Sequence, residues 1–478
     1  MAAEEFKLVN ESIGLWSAVG LLVGTAIGMA IFIVPTQMLQ LAGPSITVAI
    51  ALSVVPMVFG VLGLLQLGGA IPVAGGAYVY CSRLVGPFWG LLGIAVPVLA
   101  IWAYLLFAAM GFAEYLAFFS AEFALVPDVP ALLVVWGLLL GFLLLNYVGV
   151  QLVVRVQLVM VGILVLGLLA FVFTGAFDVD TANYTPLFPS ESPDAPFAEG
   201  IGPFFIAIVT LYIPFQGFGM VVEIGEELEN PVRNIPRVLA IGMSIVVAVS
   251  AAVVIVLVGV LPWEKAGPVI DAGGGLAAVA GQFTRTEIAA FVAFGALIGA
   301  ATTINTLFTS YSRTIMRAAR DDVAPRRLAT IHDSYGTPTG AIVALGAPPI
   351  LLAPLAIHLD RIVAVDALDW LVTVTVTGIF VAFAILGVAL WRLPQLFPGR
   401  YEHSFYRLPL PLLKVVAVGN TVISILFGVL VAIGQPSALA VVIGWIVLTI
   451  GIHQYRRRRY RKKGVDLEEG MSSLHGHE

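Results

Sequence analysis

Apolar residues fall in long unbroken runs, and polar residues are gathered into the gaps between them. A helix needs about 20 predominantly apolar residues to cross the hydrocarbon core of a bilayer. Twelve runs approach or exceed that length, over residues 12–35, 45–67, 87–118, 129–148, 156–176, 200–224, 236–261, 286–312, 339–357, 367–391, 410–433 and 437–455. Barrel strands would alternate apolar and polar residues over about ten positions, and these runs do not alternate. A uniformly apolar run in lipid satisfies its backbone internally only as a helix. The pattern predicts an all-α polytopic membrane protein with 12 transmembrane helices.

Two of the runs are poor helix interiors. The first contains Gly20, Gly24 and Gly28 before Pro35, and the sixth contains Pro214, Gly217 and Gly219. Glycine costs about 1 kcal/mol and proline about 3 within a helix, so such clusters predict that helices 1 and 6 are broken, around a polar cavity. Breaks in the first and sixth runs are the spacing expected of a five-plus-five repeat, inverted because five is odd. Paired interruptions of this kind point to a transport site near the bilayer midplane. Half-helix N-termini there suit a carboxylate and C-termini an ammonium, the two ends of a zwitterion. The competing explanation is that small residues merely let helices pack closely.

Composition and charge narrow the class. Hydrophobic residues make up 60% of the 478 and charged ones 11%, against roughly 25% charged in a soluble domain. Lys and Arg accumulate in cytoplasmic loops. With a cytoplasmic N-terminus, 21 of the 24 lie inside, and only Lys265, Arg285 and Arg361 lie outside. Both termini are therefore expected in the cytoplasm of a multi-pass plasma-membrane protein. The outer segment 177–200 agrees, carrying Asp178, Asp180, Glu191, Asp194 and Glu199 with no Lys or Arg. The first run reads as a span and not a cleaved signal, because Met1-Ala2-Ala3-Glu4-Glu5 is not basic and the run is long.

The run Arg456-Arg457-Arg458-Arg459-Tyr460-Arg461-Lys462-Lys463 follows the last span, where it fixes topology and attracts anionic lipid at about 1 kcal/mol per charge; a nucleic-acid partner is not expected. A lone Cys81 excludes an internal disulfide framework and a thiolate-rich metal site. His332, His403, His453, His475 and His477 fall on the inner side and His358 on the outer, none paired at ligand spacing, so no metal is expected. The chain lacks a phosphate loop, a nucleophile elbow and a zinc-protease motif, which argues against an enzyme or a resident cofactor.

Two carboxylates fall inside predicted spans, each costing about 3 kcal/mol at mid-membrane. Glu114 lies towards the outer end of the third. Glu223 lies in the inner half of the sixth and reads two ways, as the start of a solvated helix end shared with Glu226 and Glu227, or as a protonatable group facing an inward vestibule.

Four motifs, in order, carry a family resemblance. Gly24-Thr25-Ala26-Ile27-Gly28-Met29-Ala30-Ile31-Phe32 resembles the first-helix signature of the amino acid, polyamine and organocation permease superfamily. Pro72-Val73-Ala74-Gly75-Gly76-Ala77-Tyr78-Val79-Tyr80 with Gly86-Pro87-Phe88-Trp89-Gly90 is similar to the loop after its second helix. Glu226-Glu227-Leu228-Glu229-Asn230-Pro231-Val232-Arg233-Asn234-Ile235-Pro236 resembles the loop entering its seventh. Arg313 through Ala318-Ala319-Arg320-Asp321 to Pro325, with Gly336-Thr337-Pro338, resembles its helix-eight exit.

The resemblance implies a cytoplasmic N-terminus (1–11), two inverted repeats (12–176 and 200–391), two peripheral helices (410–455) and a basic cytoplasmic tail (456–478). It implies a permease that moves an amino acid or related amine by alternating access, with ion-coupled uptake; an obligate amino acid or polyamine exchanger and a non-transporting solute sensor are the alternatives. By position, Ile27, Gly28, Met29, Ala30 and Ile31 would offer backbone groups to the substrate, as would Ile213, Phe215, Gln216 and Gly217, with Tyr212 and Phe215 as aromatic cover.

Three departures matter. Ala30 replaces a usual third glycine, favouring a small or slender substrate, and Gly219 stands where an acid or polar residue often follows the Gly-Phe pair, disfavouring a cationic one. The fifth run holds Leu164 where proton-coupled relatives can carry lysine. The coupling ion is then H+, with Glu223, or Na+, with Thr302 or Thr303 as hydroxyl ligands; those threonines equally suit bonding to their own helix. Nothing in the pattern specifies an oligomeric state.

Overall fold

A computed structural model describes residues 13–123, 127, 129–189, 202–271, 273–363, 366–461 and 471. The predicted segment 1–11, the acids Glu191, Asp194 and Glu199, and Lys462, Lys463, His475 and His477 lie outside the described residues.

The described chain begins with α1 (Leu15–Ile27) and α2 (Ala30–Ala42), then a 3-10 turn and α3 (Ile46–Ala70). Short α4 (Gly76–Tyr80) leads through a wide turn to α5 (Pro87–Phe123), α6 (Ala131–Val148) and α7 (Val150–Gly175). Next come α8 (Gly202–Thr210), α9 (Met220–Glu223) and α10 (Pro231–Val260), with α11 (Ala266–Asp271) and α12 (Gly275–Phe283) before α13 (Thr286–Arg320). The remainder is α14 (Thr339–Ile357), α15 (Leu359–Val363), α16 (Ala367–Leu396), α17 (Pro398–Glu402), α18 (Leu410–Gly434) and α19 (Pro436–Arg461).

Among the described residues, eleven stretches are long and apolar enough to cross a membrane. The first, Leu15–Ala70, is 56 residues and would extend roughly 84 Å as one straight helix, against the 30 Å a crossing requires. It contains the first two apolar runs of the sequence, and the other ten stretches take one run each. The eighth run extends past its predicted end at 312, because α13 continues to Arg320 and its last turns find acidic partners.

Helix α13 packs on α1, α5, α7 and α14, and α10 packs on α1 and α3. Helices α16 and α5 lie together, with α18 on the far side of α16. Only 17% of the α19 span is buried against 89% of α5, so little of α19 packs within the bundle. Helix α6, at 22%, is equally outlying, which the sequence did not signal.

The glycines of the first run divide their work. Gly20 and Gly24 sit inside α1 where α7 comes close: a Cβ at Gly20 would stand 2.5 Å from Leu158 Cδ2, and one at Gly24 2.4 Å from Gln157 Nε2. These two serve packing, the competing explanation. Gly28 alone, at φ +43°, ends the helix, and Pro35 is carried within α2.

Gln66 of α3 anchors the connection between α16 and α18. Fully buried, it donates to Ser404 Oγ at 2.9 Å and accepts from the Leu408 amide at 2.8 Å. Gln66→Leu leaves that amide buried without its acceptor and should cost about 1–3 kcal/mol, read as a lower thermal unfolding midpoint of the detergent-purified protein.

Candidate functional site

Both predicted breaks are present, and they touch. Between α1 and α2 only Gly28 and Met29 intervene, leaving the first amides of α2, those of Ala30 and Ile31, without intrahelical acceptors. Between α8 and α9 the chain makes a 3-10 turn over Ile213–Phe215, extends at Gln216 and passes through Gly217 at φ +102°. A Cβ on Gly217 would lie 2.8 Å from Thr25 Cγ2 and 3.2 Å from the Ala26 nitrogen, so the second break is seated on the last turn of α1.

The predicted site residues are all buried, Gly217 excepted at intermediate exposure. Ile27 closes α1, and the Met29 side chain reaches Gly111 of α5. Tyr212 stacks on Phe380 of α16 at 5.1 Å and meets Phe427 of α18 edge-on at 6.4 Å, an aromatic cluster that ties α8 to the flanking helices. Ile213 lines a cavity of about 340 Å³ with Met38, Thr210, Asp369, Thr373 and Gln435, on the side that the charge pattern assigns to the exterior.

Thr302 and Thr303 lie against the first break. The Thr302 hydroxyl is 2.7 Å from its own helix's Gly299 carbonyl and 3.0 Å from the Gly24 carbonyl of α1. Thr303 donates to the Gly299 carbonyl at 3.1 Å and fills the space a Gly28 side chain would need, 2.1 Å from its Cβ position. Leu164 of α7 packs at the same contact, 3.2 Å from where a Gly299 Cβ would stand.

A neutral polar chain continues from there, which the sequence reading missed. Gln157 reaches the Thr302 carbonyl at 3.4 Å and accepts from Asn305 at 2.9 Å; Asn146 donates to Asn305 at 3.0 Å and accepts from Thr309 at 2.8 Å. The signal was available, since three amide side chains inside apolar runs are as much in need of partners as a carboxylate is.

Glu223 overturns one of its two readings. It is 2% exposed, so it is not part of a solvated helix end. The reason is that α9 stops there and the backbone turns at Ile224 and Gly225, sending the three acids different ways. Glu223 accepts from the Ala77 amide at 3.3 Å and from the Thr314 hydroxyl. Glu227 is held bidentately by Arg313, at 2.9 and 3.2 Å from one guanidinium nitrogen. Glu226 meets Arg320 at 3.3 Å and the Ala74 amide at 3.3 Å. Glu114 is exposed on α5.

The same face carries Asp321, bonded by Arg83 at 2.6 Å and by the Tyr78 hydroxyl at 2.7 Å. Ile13 pairs with the segment after α9, donating to the Glu227 carbonyl and accepting from the Glu229 amide, both at 3.0 Å. Three of the four motifs that carried the resemblance thus meet as one layer of contacts between the loop after α3, the segment after α9 and the end of α13.

A family model described as "amino acid permease" matches residues 13–453. The chain belongs to the amino acid permease family. The permease is 24% identical to a branched-chain amino acid permease of Bacillus subtilis, over 80% of this chain and 81% of that one. It is 26% identical to the branched-chain amino acid permease of Lactococcus lactis (68% and 72%) and 28% identical to a rabbit large neutral amino acids transporter small subunit 2 (70% and 62%). These relatives are named as transporters, not enzymes, and the permease is itself a multi-pass membrane protein.

Burial raises Glu227 above the usual carboxylate range, and Arg313 opposes that without cancelling it. Removing one member of such a pair strands the other. Arg313→Met should destabilise the permease by about 3–5 kcal/mol, and adding Glu227→Gln should recover part of the loss, read in a double-mutant cycle of thermal unfolding.

Proposed function

We propose that the permease is a secondary active transporter for a small neutral amino acid with an apolar side chain, of the branched-chain type. Support comes from the seating of one break on the other, because it brings free ends of four half-helices to one place deep in the bundle. The side chains gathered there, among them Thr25, Thr303, Phe215 and Gln216, are uncharged. Free amides at the start of α2 would take the substrate carboxylate and the last carbonyls of α1 and α8 its ammonium. An uncharged surround fits an apolar side chain better than a cationic one.

In this reading twelve helices cross the plasma membrane with both termini inside, the first ten as an inverted repeat. The cavity at Ile213 is large enough for an amino acid and forms the outer approach, while the contact layer at Glu226, Glu227 and Asp321 closes the inner side. Transport exchanges these two barriers, driven by an ion gradient.

Radiolabelled leucine, valine, lysine and putrescine offered to proteoliposomes under imposed proton or sodium gradients test this. Accumulation of leucine and valine above equilibrium is the expected result. Flux seen only with preloaded vesicles would make the permease an exchanger, and binding without flux would make it a sensor. Gly28→Leu forces a side chain onto Thr303 at a backbone angle that disfavours it. Uptake should fall on the order of 100-fold or more, with normal amounts of protein in the membrane fraction.

A further inference from the structure

Below the breaks, and reached from Gln216 and Gly217 of the second one, lies a small chamber whose far end at Glu223 the substrate site does not account for. Its volume is about 40 Å³, room for two or three waters and not for an amino acid. Gln216, Glu223, Tyr311 and Thr314 supply its polar wall, and Leu64, Pro97, Phe383 and Leu386 are among its apolar residues. Gln216 is 2% exposed, and neither its Oε1 nor its Nε2 has a partner among the described residues. Leaving both atoms bare in a low-dielectric interior costs about 1–3 kcal/mol each, so the chamber is built to hold something that both donates and accepts hydrogen bonds.

The other end of the chamber is a carboxyl group with only neutral donors, the Ala77 amide and the Thr314 hydroxyl. Tyr80 and Cys81 on the α4 side and Tyr311 on α13 are close enough to feel its charge, and none of the three is a cation. Arg313, beside Thr314, is turned to Glu227. The α3, α5 and α16 walls contribute no charged side chain. Among the described residues, Glu223 therefore has no salt-bridge partner.

A bare Na+ would satisfy Gln216 Oε1 and leave Nε2 unpaired, whereas water serves both atoms and also reaches the carboxyl. We infer that this chamber is a coupling-proton site, in which water held by Gln216 delivers a proton to Glu223 as the permease changes conformation. The inference rests on the transporter reading above. The proton comes from bulk water on one side of the membrane: the chamber water gains one O–H bond as it gives up another, so it is left unchanged. The proton adds to a Glu223 carboxylate oxygen, and it later leaves from that oxygen to bulk water on the other side. Because Ala77 and Thr314 belong to two neighbouring elements, protonation also weakens the acceptor that fastens α9 to both.

The test uses the full-length protein in proteoliposomes. In the wild type, an inward proton gradient should drive leucine accumulation, and exchange measured without any gradient should vary between mildly acidic and mildly alkaline buffer. Glu223→Gln should abolish the proton-driven accumulation and flatten the pH profile of exchange, whatever its level. Thr314→Val, which keeps shape and removes one hydrogen bond to the carboxyl, should displace that profile along the pH axis without flattening it, and serves if Glu223→Gln fails to fold. An unchanged pH profile in Glu223→Gln, or accumulation driven by sodium alone, overturns the proposal. Loss of lysine transport with leucine transport untouched also overturns it, by making Glu223 the counter-ion of a cationic side chain. Absence of flux for every amino acid would instead overturn the transporter reading.

Discussion

In hydrocarbon a backbone amide or carbonyl released from its helix has no water to turn to, and each one left bare costs several kcal/mol. Two opened turns in one bundle multiply that demand. The permease meets it by setting the turns against each other and against α13. The second break lies on the last turn of α1, the Thr302 hydroxyl reaches the Gly24 carbonyl, and Gly299 is small enough for the Gly28 carbonyl to approach. The central position of α13 follows from this, since one helix attends to the first break at Gly299, Thr302 and Thr303 and secures the inner contacts at Arg313 and beyond.

Polar chemistry is sorted by depth. Around the first break it is neutral, running through Gln157, Asn305, Asn146 and Thr309, where amide groups bond without the desolvation penalty of a charge. Where the loop after α3 meets the end of α13 it turns ionic, with Arg83, Arg313 and Arg320 each held by an acid. Glu223 stands at the boundary, an ionisable group on the neutral side. The Arg313–Glu227 pair is as buried as the amide chain, so breaking it on one side leaves an uncompensated charge, whereas the neutral amides carry no such charge.

Much of this was written in the sequence. Run length gave the helices, because the bilayer imposes a minimum span, and Gly28 and Gly217 marked the breaks because few other residues take their backbone angles. What stayed hidden depended on neighbours distant in the chain. Gly20 and Gly24 look like Gly28 until Leu158 and Gln157 are seen pressing on them. The stacking of Tyr212 on Phe380, 168 positions away, has no counterpart in the local sequence of either. Glu223 resembles its acidic neighbours by spacing, and only the turn at Ile224 and Gly225 separates them.

The contact between Thr302 and Gly24 spans 278 positions of sequence. A ribosome releases α1 long before α13, and before the segment at Gly217 that lies over its last turn. During biosynthesis the turn at Gly28 therefore waits for Gly299, Thr302 and Thr303 while the helices before α13 are being inserted. Ile13 waits likewise for Glu227 and Glu229. The turn at Gly28 is thus among the first elements made and among the later ones completed, and its maturation belongs to a late stage of membrane assembly.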